Sequence, residues 1–445
     1  MEPIIASATP SNIRSALHII RISGTGIFKI VSSCFDKDIS TNKQTICVGC
    51  IKENKRVVDK VVLLAFPHPN SYTGEDVIEI ICHGNPIISN DIISLFLSKG
   101  VRLAKQGEFT YRAFLNKKID LIESEAVNDL INAKTLESKQ MILNSLCGKT
   151  SSLLKPIKEN ILQILSNIEV NIDYSEYTDI EKINRKNIRK SFLECKKTIK
   201  QFINQGEKGL IIKEGLTVVL VGDTNVGKST ILNTLLNCEK AIVTNIPGTT
   251  RDVVEGEIKL EGILLHIFDT AGVRNSNNKI EQIGISKTFK MIEKSDLVIF
   301  VMDNKNENIK INSKLKTALQ EKTVINIVNK SDLIKNSQKL NKNYIYISAK
   351  NKNIDGLINK IKEEIKIDGV YNYNNPSFCN AREIGLLKQA VLLIDKILFE
   401  NNNNAPMVVL STLIRELLNI ILDILGENTS LDLIEDIFSR FCVGK

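Results

Sequence analysis

No run in this sequence approaches the roughly 18 apolar residues that a membrane-spanning helix needs, and no amino-terminal signal peptide is visible. The expectation is a cytoplasmic protein with no membrane partner. No basic run is long enough to act as an arm, and no internal repeat divides the chain. The formal charge of +8 and pI of 8.8 therefore permit a nucleic-acid partner without demanding one, a solvated lysine surface being the commoner explanation. Disulfides are not expected either, because nine cysteines, an odd number, are scattered over the chain. Cys47 and Cys50 make a lone CxxC with no second pair and no histidine nearby. Metal or redox chemistry there stands beside the plainer reading that both lie on or beside a strand. Asparagine, isoleucine and lysine are abundant, as AT-biased codons would give, so scattered asparagines carry little weight.

What is present centres on Gly222-Asp223-Thr224-Asn225-Val226-Gly227-Lys228-Ser229, the phosphate-loop pattern GxxxxGK followed by Ser or Thr. Leu216 to Val221 reads as a buried strand before it and Thr230 to Asn237 as a helix after it. Glycines let the backbone amides face phosphates, Lys228 offers a point charge, and the Ser229 hydroxyl suits Mg2+. The strand Ile263 to Phe268 delivers Asp269-Thr270-Ala271-Gly272, a carboxylate for the Mg2+ shell and a glycine amide for the γ-phosphate. Strands at 296–302 and 323–328 follow, the second ending on Asn329-Lys330-Ser331-Asp332. The Asp332 carboxylate can accept from the two N–H donors on guanine's Watson–Crick edge, which adenine does not supply. Ser348-Ala349-Lys350, after the strand Tyr344 to Ile347, supports the base. Four ordered motifs, each at a strand end, specify a GTP site.

At 445 residues the chain accommodates two or three domains. Residues 1–117 mix strands (Ala16 to Ile22, Lys60 to Phe66) with a helix (Asn90 to Ser98) and form an α/β domain. Arg21 and Glu79 interrupt apolar runs there, as edge-strand charges that discourage aggregation or as a ligand site. From about Asp120 helical spacing dominates: Ser124 to Thr135, Met141 to Val170, Ala381 to Phe399 and Met407 to Leu425. Asn401 to Asn404 reads as a loop. The expected fold is multidomain: an α/β amino-terminal domain at 1–117, an all-α domain at 118–210 and 369–445, and a nucleotide domain at 211–368 inserted into it.

Several stretches resemble the tRNA modification GTPase family called MnmE or TrmE. They are Ile4 to Pro10, Ile20-Arg21-Ile22-Ser23-Gly24, Tyr72-Thr73-Gly74-Glu75-Asp76 with Glu79, His83 and Gly84, Gly107-Glu108-Phe109-Thr110, Arg112 to Asn116, Asp120-Leu121 with Glu125-Ala126-Val127, and the tail Phe438 to Lys445. The similarity spans the chain, and the GEFTYRAFLN block and FCVGK tail are far more specific than the nucleotide motifs. The resemblance implies a folate-type amino-terminal domain that dimerises, a discontinuous helical domain and an inserted Ras-like P-loop GTPase domain. It also implies GTP hydrolysis in partnership with the flavoprotein MnmG, in a heterotetramer, to place a carboxymethylaminomethyl or aminomethyl-type group on carbon 5 of the wobble uridine of certain tRNAs. A tetrahydrofolate derivative donates the carbon. Carried over by motif, the folate contacts are Arg21, Glu79, Lys118 and Lys445, and Cys442 matches a family cysteine that is either part of a site or a structural thiol.

One residue type is missing where hydrolysis needs it. Ras-like GTPases carry a water-orienting glutamine just after the DTAG motif, where this chain has Val273. In the family a K+ ion supplies the charge otherwise given by an arginine finger. By motif match Asn225, Thr244, Ile246 and Thr249 hold K+, within the GTP-binding stretch Thr244-Asn245-Ile246-Pro247-Gly248-Thr249-Thr250, while Thr250 joins Ser229 on Mg2+. Two GTPase domains are expected to meet face to face when K+ and GTP are bound. Glu281 falls where the family has a water-positioning glutamate, although an ordinary solvent-facing helix carboxylate reads equally well; with Asp269 and Lys228 it completes the expected catalytic set. The chain departs from the family at Ser11-Asn12-Ile13-Arg14-Ser15, where a glycine-rich turn is usual, and at Thr224, often proline. The alternatives are a ribosome-assembly GTPase, which lacks the two specific blocks, and a binding module that GTP merely switches.

Overall fold

The computed structural model describes residues 1–39, 42–173, 184–237, 256–270, 288–303, 313–320, 322–334, 343–365, 373–442 and 444. They divide into two compact units. One contains Met1–Asn132, Ile142–Lys200 and Gly385–Lys445; the other contains Ala133–Met141 and Gln201–Ile384.

The first unit opens with strands β1 (Ile4–Ser7) and β2 (Leu17–Ser23), helix α1 (Ile27–Ser32), strands β3 (Thr45–Glu53), β4 (Arg56–Phe66) and β5 (Val77–His83), helix α2 (Pro86–Ser98) and strand β6 (Arg102–Leu103). These strands form one sheet in the order β3-β4-β5-β2-β1-β6. Period-two alternation sends Ile20, Ile22, Ile78, Ile80, Val61 and Leu63 into a core with Phe28, Val31, Ile92 and Phe96 of the two helices. α2 begins cleanly because the Asn85 side chain accepts from the Ile87 amide and Pro86 occupies the first turn. Cys47 and Cys50 do lie on a strand, β3, and three residues apart they point to opposite faces of it.

The edge-strand reading of Arg21 and Glu79 fails. β2 and β5 are interior neighbours, and their register sets Arg21 directly opposite Glu79. The two charges answer each other.

The helices of this unit are α3 (Glu108–Leu115), α4 (Leu121–Asn132), α6 (Lys149–Ser152), α7 (Lys155–Asp173), the 381–402 helix from Gly385 on, Met407–Leu425 and Leu431–Phe438, with α5 (Leu136–Leu146) and α8 (Arg185–Glu214) each shared between the units. The single helical stretch expected from Met141 to Val170 is in fact broken, because the chain turns at Cys147-Gly148, where Gly148 has φ 70°. Asn401 and Asn402 continue a helix where a loop is expected, and the turn comes at Asn403-Asn404. Helix 407–425 buries Leu410, Ile414, Leu417, Ile421 and Ile424 and packs on α7, which buries Ile157, Ile161, Leu165 and Ile168. Each such side chain contributes about 1.5–3 kcal/mol. The part-exposed Lys158–Glu427 pair beside them is worth under about 1 kcal/mol. The apolar stripes hold the helices together.

The second unit is built on β7 (Leu216–Gly222), β8 (Gly256–Leu260), β9 (Ile263–Asp269), β10 (Leu297–Asp303), β11 (Thr323–Asn329) and β12 (Ile345–Tyr346), with helix α9 (Lys228–Leu236) after β7. The order is β12-β11-β10-β7-β9-β8, parallel throughout except for β8. Val218 to Val221 and Val298 to Val301 are buried on both faces of the sheet, which is why these strands read as continuous apolar runs. β7 and β10 are neighbours although β8 and β9 separate them in sequence. The chain reverses direction across the sheet beside β7, where open parallel sheets hold ligands.

Candidate nucleotide site

The phosphate loop leaves β7 at Gly222 and re-enters helix at Lys228. Gly227 takes φ 95°, and an added Cβ would stand 2.3 Å from Asn329 Nδ2, so both conformation and space require glycine. Asn225 is also left-handed, at φ 65°, a conformation that asparagine tolerates better than most residues. The Lys228 ammonium donates to the carbonyls of Gly222 (3.0 Å) and Asp223 (2.9 Å). Burial pushes its pKa down, opposed by the Asp269 and Asp223 carboxylates.

Strand register brings the other motifs to the same sheet edge. Leu220 of β7 stands beside Asp269 of β9, Val301 of β10 beside Gly222, and Asp303 of β10 beside Asn329 of β11. Ser229 Oγ donates to Asp269 Oδ2 at 2.5 Å, and Thr270 Oγ1 to the Leu220 carbonyl at 2.7 Å. Asp269 Oδ1 is buried and has no hydrogen-bond partner. A buried carboxylate oxygen without a donor, next to a serine hydroxyl, suits a hard divalent cation such as Mg2+. The Asn329 amide donates to the Val226 carbonyl (2.9 Å) while its oxygen accepts from the Ala349 amide (3.1 Å). Ser348 Oγ donates to Asp332 Oδ1 at 2.6 Å. Asp332 itself is exposed.

The fold thus gathers Asn225, Val226, Gly227, Lys228, Ser229, Thr230, Asp269, Thr270, Asn329, Lys330, Ser331, Asp332, Ser348, Ala349 and Lys350 from four loops or strand ends. Thr244, Asn245, Ile246, Pro247, Gly248, Thr249, Thr250, Ala271, Gly272, Val273, Glu281 and Lys445 lie outside the described residues. Asp303 is absent from the motif reading, yet its carboxylate holds Lys330 Nζ at 2.8 Å while the same ammonium reaches the Asn225 carbonyl at 2.8 Å. Its signal was a carboxylate closing the apolar run Leu297 to Met302.

The other charged cluster lies in the first unit. Arg21 Nε and Nη2 both approach Glu79 Oε1, at 2.8 and 2.7 Å, with the two side chains 17% and 18% exposed. The guanidinium centre lies 5.2 Å from the Tyr72 ring and 5.7 Å from the Phe109 ring, and Nη1 donates to the Gly444 carbonyl at 3.3 Å. Gly444 has φ 96°, and a Cβ there would stand 2.3 Å from the Ser7 carbonyl. The tail is thus pressed against β1. Cys442 is exposed, lines a groove of about 680 Å³ with residues of 6–12, and accepts from the Gly107 amide through its carbonyl at 3.4 Å. Lys118 is apart from this group in its bonding, donating to the Pro69 carbonyl at 3.1 Å. Beneath them Arg112, only 3% exposed, joins Glu75 and Glu108, each at 2.9 Å.

Comparison with known proteins agrees with this geometry. The model of the MnmE helical domain matches residues 121–442, and that of the GTP-binding protein TrmE N-terminus matches residues 3–118. The chain is similar to the tRNA modification GTPase MnmE of Malacoplasma penetrans, 40% identical over 464 residues covering 100% of both chains. Similarity to the protein of that name in Mycoplasmoides gallisepticum is also 40%, covering 100% of this chain and 98% of that one. Among solved structures, Era of Aquifex aeolicus aligns at 22% identity with 40% of this chain and 66% of its own, at a TM-score of 0.27, too low for any inference.

Proposed function

The chain belongs to the MnmE, or TrmE, family of tRNA modification GTPases, and from that premise we propose how it works: as a K+-stimulated GTPase that, with the flavoprotein MnmG in a heterotetramer, modifies carbon 5 of the wobble uridine. It binds GTP and hydrolyses it in the service of tRNA modification. The added group is of the carboxymethylaminomethyl or aminomethyl type. The observation that carries the hydrolytic half is the convergence of Lys228, Ser229 and Asp269 at one sheet edge, with Asp269 Oδ1 buried and unpartnered.

Each side chain has a task that its geometry suits. Lys228, caged by two loop carbonyls, keeps an ammonium fixed where β- and γ-phosphate oxygens arrive, so little reorganisation is needed when charge develops. Asp332 accepts from the guanine edge, steadied by Ser348, and Asn329 braces the loop beneath the base. Ser229 and Asp269, with Thr250, would hold Mg2+, which when bound neutralises phosphate charge. Asn225, Thr244, Ile246 and Thr249 would hold K+, supplying the charge that an arginine finger gives in other GTPases; of these Asn225 lies in the described loop, its side chain exposed. Glu281 would position the attacking water.

For the one-carbon half, Arg21, Glu79, Lys118 and Lys445 would bind a tetrahydrofolate derivative that supplies the carbon. Support comes from the half-buried Arg21–Glu79 pair, its two aromatic rings and the tail glycine beside it: cation, carboxylate and flat apolar surface suit a glutamate-tailed pterin. The sheet face carrying Leu17, Ile46 and Val48 is apolar and exposed, as a homodimer contact would require. Turnover measured in K+ and in Na+ buffer tests the reading together with nucleoside analysis of tRNA from cells lacking the gene. Equal turnover in both salts removes the K+ role, and an unchanged wobble uridine removes the modification.

A further inference from the structure

Helix α8 carries seven lysines and arginines but a single glutamate over residues 185–200. It buries Ile188, Phe192, Cys195 and Ile199, at i, i+4, i+7 and i+11, so the opposite face is fixed by helical geometry. That face bears Lys186, Arg189, Lys190, Lys197 and Lys200, all exposed and falling within about a third of the helix circumference. They span roughly 21 Å along the axis.

The cations at the flank are already engaged. Lys196 pairs with Asp395, and Arg185 donates to the carbonyls of Asn401 and Ala405. For the five on the stripe no acidic partner is found among the described residues, and Glu194 lies to one side of their row.

The geometry points to this stripe as a docking surface for the phosphate backbone of RNA, which, on the reading that the chain acts in tRNA modification, is the tRNA. Cations aligned on one face, without acidic partners among the described residues, repel one another and gain when a polyanion releases its counterions to them. Other occupants fit less well. A protein interface concentrates aromatic and apolar groups at its centre and is poor in lysine, whereas this face has only Leu193 among its cations. A membrane surface would need an apolar face to insert, and that of α8 is buried in the protein. Contacts of this kind position a nucleic acid without reading its sequence. The stripe therefore supplies grip, and selection of the uridine lies elsewhere.

The test uses the full chain with Lys186→Gln, Arg189→Gln, Lys190→Gln, Lys197→Gln and Lys200→Gln together, glutamine being a good helix former on a solvent face. tRNA binding is measured from 50 to 300 mM salt, alongside a control with Lys29→Gln, Lys37→Gln, Lys43→Gln and Lys99→Gln. Helix content and thermal midpoint serve as the check on folding. Expected are affinity lower by about tenfold or more at 150 mM salt and a salt slope shallower by about 3, with the control unchanged. Wild-type affinity and slope in the stripe variant, whether the face then proves idle or binds an acidic protein, overturn the proposal. So does an equal loss in the control, which shows diffuse charge at work. If the unaltered protein binds no tRNA at any salt, it is the tRNA-modification reading that fails.

Discussion

The two units of this protein hold charge in opposite ways. Around the phosphate loop, Lys228, Lys330, Asp269 and Asp332 sit at strand ends or just beyond them, held by backbone carbonyls, hydroxyl bonds and, for Lys330, the Asp303 carboxylate. At Arg21 the charges sit within interior strands, and each is answered by a residue distant in sequence: Glu79 lies 58 residues away and Gly444 lies 423 away. A site made of loops can exchange a side chain for a ligand while the sheet stays intact. A site made of strands cannot lose one charge without exposing the other to an apolar sheet.

The sharpest way to break this contrast is Asp332→Asn. If the nucleotide site is a set of independent loop contacts, the preference for GTP over xanthosine triphosphate falls by on the order of 10⁴ while the thermal midpoint stays put. Competitive hydrolysis assays read the ratio, and an unchanged ratio denies Asp332 its role. Next in size is Arg21→Leu, which strands Glu79 on an interior strand and is expected to cost about 1–3 kcal/mol. The double change Arg21→Leu with Glu79→Leu is expected to recover most of that loss in denaturant melts. A double variant as unstable as the single one means that the pair was not the stabilising contact.

The acid limb of stability gives a third comparison. Burial works to raise the Glu108 pKa, but bonds from Arg102, the Lys105 amide and Arg112 outweigh it and bring the carboxyl down to about 2 from 4.5. A depressed carboxylate contributes fully above about pH 4.5 and loses its contribution as pH falls through about 2. Wild type is therefore more stable than Glu108→Gln at neutral pH, and the gap closes between those limits; a gap independent of pH excludes the mechanism. Smallest is Gly444→Ala, whose Cβ would collide with the Ser7 carbonyl. It is expected to cost about 1–2 kcal/mol locally, read as faster amide exchange near the tail and β1, and unaltered exchange there shows that the tail is not docked.

The same contrast explains what could be read in advance. Gly222 to Ser229 was legible because a phosphate loop is a local object: eight consecutive residues fix its turn, its amides and its lysine. Strands β7 and β10 were legible because burial on both faces writes them as apolar runs, and β9 and β11 because theirs are interrupted only at His266 and Asn326. The Arg21–Glu79 pairing was not, since it depends on the register of β2 against β5 and on their interior place in the sheet order, neither of which is encoded by neighbours in sequence. For the same reason the residues alone left edge-strand charges and a ligand site as open readings of the two. The break at Gly148 was hidden because apolar spacing continues across it and only the glycine's backbone freedom reveals the turn.

Asn329 grips the Val226 carbonyl with one end of its amide and the Ala349 amide with the other. One small planar group therefore clamps the cradle for phosphate to the shelf for the base. A change at Asn329 itself would loosen both loops at once, whereas one at Asp332, bonded to Ser348, would reach only the base side.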